Sequence, residues 1–112
     1  MAGKLSPERE REWIAIASRV VARLLKDELG IDTRRSAERC LGINSRTLAK
    51  LNPDSPGTGL QWETLEKILY RIEAVLRFEG THDEREIDSM MSQARYEISR
   101  SYFGEYKPKG KS

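Results

Sequence analysis

The chain is poor in the residues that most often carry chemistry or covalent structure. It has one cysteine and one histidine. A single cysteine excludes an internal disulfide framework, and Cys40 with His82 is too small a set for a structural zinc site. Long apolar runs are also missing. The apolar stretches are short and broken by charge, so none reads as a membrane span, and the opening MAGKLSPERERE lacks the apolar core of a signal peptide. The expectation is a soluble, cytoplasmic protein. No strand-like alternation, internal repeat or low-complexity tract is present. No nucleophile stands beside a base and no carboxylate pair is spaced for acid–base work. Gly57 and Gly59 fall in a proline-containing loop, not in a phosphate loop that follows a strand. An enzyme is therefore not expected, and no cofactor or metal is implied.

What is present is helical periodicity and a patterned charge. At 112 residues the chain is one domain with room for an appended element. A domain of this size buries somewhat more than ~60% of its unfolded surface, enough for a core without staples. The net charge of +2 hides a strong segregation. Residues 34–50 carry five bases against one acid, Glu38, and residues 60–88 carry eight acids against four bases. From residue 89 onward five bases face two acids. A basic centre, an acidic flank and a basic end follow.

The spacing predicts an all-α protein of five helices. The first covers 7–29: Ser6 caps it, Pro7 takes the first helical position, and Trp13, Ile14, Ala17, Val20, Val21, Leu24 and Leu25 share one face. Gly30 ends it, and Asp32 with Thr33 starts a second helix over 33–41. Gly42 supplies a sharp turn, and Asn44 or Ser45 caps a third helix over 45–51. Residues 52–59, NPDSPGTG, are a loop. A fourth helix over 60–78 places Trp62, Leu65, Ile68, Leu69, Ile72, Val75 and Leu76 inward and Glu63, Glu66, Lys67 and Arg71 outward. Gly80 closes it, and Thr81 is the expected cap of a fifth helix over 82–103. There Ile87, Met91, Ala94, Ile98 and Tyr102 form one stripe, with Tyr96 and Phe103 nearly opposite. Two apolar faces suggest that one packs inward and the other meets a partner. Trp13, Trp62, Met90 and Met91 read as packing residues, Cys40 as an inert one, and His82 as exposed without a partner. The tail 105–112 is basic and expected to be disordered.

Within 33–51, Ala37, Leu41, Ile43, Leu48 and Leu51 are the positions that a helix–turn–helix buries, and Arg34, Arg35, Arg39, Arg46 and Lys50 lie between them. LGINSRTLAKL over 41–51, followed after a loop by LQWETLEKIL over 60–69, resembles the λ-repressor-like, XRE-type helix–turn–helix family. The resemblance covers roughly 19–78. It implies a five-helix DNA-binding fold, here with an extended first helix, in which the helix after the glycine turn is the recognition helix. The chain then divides into a DNA-binding domain over 1–80 and a C-terminal helix over 81–104, outside the resemblance, whose second apolar face assigns Tyr96 and Phe103 to dimerisation. Carried onto this sequence, the family's base-reading positions fall on Ser45, Arg46 and Ala49. Arg34 stands where the family has a phosphate-binding glutamine, and Arg35, Thr47 and Lys50 are further phosphate contacts. Arginine reads guanine through two parallel hydrogen bonds, so Arg46 leads for base readout. One departure is that the small residue usual in the middle of the second helix falls on Glu38, with Ala37 one place earlier. Either the helix crossing adjusts or the register shifts by one.

Taken singly, Arg34, Arg35 and Arg39 read as a solvated helix face. Together with Arg46 and Lys50 they favour double-stranded DNA as the partner. The leading expectation is a homodimeric transcriptional regulator, a repressor, on an inverted-repeat operator. The alternative is an antitoxin or anti-defence protein whose main partner is another protein, with autoregulatory DNA binding. A weaker third is an adaptor that contacts RNA polymerase.

Overall fold

The computed structural model describes residues 6–103, and within them the chain is all helical, with five α-helices and no strand. Helix α1, Pro7–Arg23, begins as its sequence dictates. Ser6 is extended and its side chain accepts a hydrogen bond from the Arg9 backbone N–H at 3.2 Å. Pro7 and the acids Glu8 and Glu10 occupy the first turn, where a missing N–H costs nothing and negative charge meets the positive end of the dipole.

The expected uninterrupted helix over 7–29 changes its winding at Leu24–Glu28, which form a π-helical turn. A π turn takes one residue more per turn than an α-helix. Leu24 and Leu25 at its start are both buried, as the neighbours Val20 and Val21 are in the α-helical part. Gly30, at φ +69°, then closes the end, and the Gly30 and Ile31 N–H groups donate to the Lys26 and Leu25 carbonyls at 3.1 and 2.8 Å.

Helices α2, Arg34–Leu41, and α3, Ser45–Ala49, pack against each other; α4 is Trp62–Glu79 and α5 is Glu84–Phe103. Helix α3 stops two residues short of its expected end. There the Lys50 and Leu51 N–H groups reach back only three residues, to Thr47 and Leu48, and tighten the last turn. The cap of α5 is a second correction. Asp83, not Thr81, accepts from the Glu86 N–H at 2.8 Å, while the Glu86 side chain accepts from the Asp83 N–H at 3.1 Å. This reciprocal box satisfies two of the orphan donors at a helix start. Thr81 instead meets His82, whose other ring nitrogen lies 3.0 Å from Glu28 in the π turn. His82 is therefore half-buried and partnered, against the expectation of an exposed, solitary residue.

One contiguous core draws on every helix. Ile14, Leu41, Leu65, Ile68, Ile72, Leu76 and Ile98 are fully excluded from solvent, each stabilising the fold by about 1.5–3 kcal/mol relative to exposure. Helix α5 packs chiefly on α1 and also on α4, with Ile87, Met91, Ala94 and Ile98 inward as expected. At one end Trp13, Trp62 and Tyr102 stack at centroid distances of 4.8–6.0 Å, joining the starts of α1 and α4 to the end of α5. Ile43 is only half-buried, although it packs on the core. No described helix is long and apolar enough to cross a membrane. The tail 105–112 lies outside the described residues.

The acidic flank is partly consumed within the fold. Glu73 of α4 accepts from Arg77 and, at 3.2 Å, from Arg95 of α5, while Arg77 also reaches Glu84 and Asp88. The Arg77 hydrogen bond is the main reason that the Glu73 carboxyl is held below the usual carboxylate range; partial burial opposes it and Arg95 adds to it.

Candidate nucleic-acid interface

The segment expected to meet DNA is built from α2, a glycine turn and α3. Thr33 caps α2 by accepting from the Ser36 N–H at 3.1 Å. Ala37 and Leu41 then turn inward, which leaves Arg34, Arg35 and Arg39 exposed. Arg35 and Arg39, four residues apart, share one outward face. The small residue in the core is Ala37, at 5% exposure, while Glu38 is half-buried. The small buried residue of α2 is thus Ala37, one place before Glu38.

Gly42 takes the left-handed conformation, φ +67° and ψ +32°, and its N–H closes α2 on the Glu38 carbonyl at 2.8 Å. Of the two candidate caps for α3, Asn44 fills the role, accepting from the Thr47 N–H at 2.8 Å. Leu48 and Leu51 point into the core, so the helical period turns Arg46 outward between the exposed Ser45 and the half-buried Ala49. Thr47 is half-buried beside them. Arg34, Arg35, Arg39 and Arg46 bond no partner among the described residues, whereas Arg23, Arg77 and Arg95 elsewhere are paired with carboxylates.

Lys50 is placed differently from the arginines. It is half-buried at the end of α3, and its Nζ lies 3.4 Å from the Gly59 carbonyl. Its backbone carbonyl also accepts from the Gly57 N–H at 3.0 Å, and the Gly59 N–H in turn donates to Glu10 of α1 at 2.9 Å. The loop after α3 is therefore tied to both α3 and α1. The Lys50 bond to Gly59 is long and uses one of three ammonium donors, which leaves two for a phosphate.

One residue of this site was not singled out by sequence reasoning. Arg71 of α4, read there simply as outward, donates through Nη1 to the Leu41 carbonyl at the end of α2, at 3.0 Å. No local pattern announces it, because donor and acceptor are 30 positions apart.

Tyr96 and Phe103 are 59% and 58% exposed. Phe103 also packs on Trp62 and Tyr102, at 5.6 and 5.0 Å between centroids, and the Arg100 guanidinium lies over the Tyr96 ring at 5.7 Å. Sequence reasoning passed over two aromatics on α4, Tyr70 at 67% and Phe78 at 90% exposure. With Ala74 between them they recur every four residues, the signal that marks a shared outward stripe. Cys40 is half-buried on α2; burial first, and the nearby Glu79 second, push its thiol pKa up, so it is poorly nucleophilic at neutral pH. No cluster of metal-ligating side chains occurs among the described residues.

Comparison with known proteins finds no matching family model, no matching curated protein and no matching solved structure.

Proposed function

We propose that the chain is a sequence-specific, double-stranded-DNA-binding transcriptional regulator, a repressor, that acts as a homodimer on an inverted-repeat operator. The observation that carries this reading is the group of four unpaired arginines on two short helices joined by a left-handed glycine. Arg46, with Ser45 and Ala49, reads base edges in the major groove. Arg34, Arg35, Thr47 and Lys50 hold phosphates. A recognition helix of five residues offers few base contacts, so two copies, joined through α5 at Tyr96 and Phe103, supply the missing specificity on half-sites one helical turn apart.

The test is selection from a random duplex pool followed by a salt titration. If each protomer neutralises about four phosphates, the dimer's log–log salt slope is about −7. Recovery of an inverted repeat with a steep slope supports the reading. Binding insensitive to salt, or enrichment of no sequence at all, rejects it.

A second reading is favoured by Phe78, a large apolar side chain left 90% exposed outside the helix–turn–helix. In it the main partner is another protein, such as a toxin, and DNA binding is autoregulatory. Co-purification of a partner that Phe78→Ser abolishes supports it.

A further inference from the structure

We propose that Arg71 is the positioning residue of the helix–turn–helix. Its guanidinium holds the C-terminal end of α2 against α4, and so sets the angle at which α3 is presented. The functional consequence rests on the DNA-binding reading; the hold on the turn does not.

The Leu41 carbonyl is one of the last four of α2, which have no acceptor role inside the helix, and that end carries partial negative charge. The Gly42 N–H is already used on Glu38. The Leu41 oxygen is instead met by a cation from another helix, with Arg71 Nη1 at 3.0 Å. The base of this hold is firm, because Ile68 and Ile72, which flank Arg71 along α4, are both fully buried. Helix α3 is short and is held at two ends, by the turn from α2 and by Leu51 with the Lys50–loop bonds after it. It spans Ser45–Ala49, under two turns, and only Leu48 within it is buried. A helix so short takes its direction from its attachments.

Gly42 fits the same account. The glycine is required for its backbone angle, and a Cβ there would stand 3.0 Å from the same Arg71 Nη1, close enough to press the guanidinium aside by a few tenths of an ångström.

The competing role for an exposed arginine is a direct phosphate contact. That role weakens binding to all sequences alike and lowers the salt slope by about one per protomer, about two for the dimer. A positioning role lowers discrimination and leaves the slope unchanged.

The experiment uses the full chain, Arg71→Met and Arg71→Lys. Two probes are compared: duplexes enriched by the wild-type protein from a random pool, and the unselected random duplex. Amide hydrogen exchange is followed in parallel. Arg71→Met is expected to speed exchange at Gly42, Thr47 and Leu48, the bonded amides of the turn, by at least tenfold, with the amides of α1 and α5 unchanged. It is expected to reduce the affinity ratio of enriched to random duplex by at least tenfold, with the salt slope on random duplex unchanged. Arg71→Lys, which keeps a cationic donor, is expected to hold turn exchange within threefold of wild type and to restore most of the ratio.

Unchanged exchange at the turn overturns the hold itself, whatever happens with DNA. Faster exchange with the ratio preserved overturns the positioning role. Equal loss on both duplexes with a slope lower by about two for the dimer makes Arg71 a phosphate contact and overturns it too. If Arg71→Met also loosens α1 and α5, Arg71→Lys decides, and a loss equal to that of methionine rejects the proposal. If the wild-type protein enriches no sequence, the DNA reading falls and the exchange measurement alone judges the hold.

Discussion

At Gly42 a left-handed backbone angle coincides with a close approach of the Arg71 guanidinium, and the angle makes substitution there costly. Gly42→Ala places a side chain in the left-handed region and against the Arg71 guanidinium, and is expected to destabilise the protein by about 1–2 kcal/mol in urea denaturation. Arg46 and Lys50 should separate in a different assay. Arg46→Ala is expected to flatten preference at one base pair of the selected site by ~1–3 kcal/mol, read by competition between duplexes differing at that pair. Lys50→Ala should weaken all duplexes about equally; like behaviour of the two variants would contradict their assigned roles. What could be read at this scale was whatever is local. Ser6, Thr33 and Asn44 cap helices because a short polar side chain bonds a backbone N–H three residues on, and Gly42 ends one because it alone tolerates that angle freely. Arg71 and His82 escaped because their partners lie 30 and 54 positions away. A charge pattern along the chain contains no information about which distant carbonyl or carboxylate it will meet.

Whole helices were legible where apolar periodicity was strong, and less so at their ends. All five helices occupy the expected stretches, because stripes such as Leu65, Ile68, Leu69, Ile72 and Leu76 can be buried on one side only by a helix. The π turn at Leu24–Glu28 left no such mark, since both windings keep leucines inward. The cap of α5 moved from Thr81 to Asp83 because a carboxylate with Glu86 three residues on makes two bonds where the hydroxyl makes one. Between α4 and α5 the Glu73 network has a definite pH signature. Its folded pKa is lowered, chiefly by the Arg77 hydrogen bond, so its stabilisation is complete above the pKa of an unfolded glutamate, ~4.3. It is lost as pH falls through the lower folded value. Glu73→Gln is expected to cost about 1 kcal/mol at pH 7, allowing for the part-exposed arginines. Thermal melts of variant and wild type should converge in strong acid, and a gap that persists there would rule out the carboxylate as its source.

On the scale of the molecule, α5 shares a core with all the other helices, so the proposed dimer is best probed without removing it. Tyr96→Glu changes only an exposed side chain and is expected to leave the melting temperature within ~2 °C while converting a dimer to a monomer in sedimentation. An unchanged sedimentation coefficient would move the interface elsewhere, with Tyr70 and Phe78 on α4 as the next aromatic candidates. The exposed aromatics of α4 were the part of the surface least anticipated, since a tyrosine or phenylalanine in a helix is ordinarily read as core. The packing of the first helix on the last also governs how the molecule comes into being. Helical proteins usually fold early through local contacts, yet the face of α1 carrying Trp13 and Ile14 is completed mainly by α5, and even the Arg23–Glu97 pair spans 74 positions. At ~5–20 residues per second, translation leaves that face without its cover for roughly 4–15 seconds, an interval in which the nascent chain is open to chaperones and proteases.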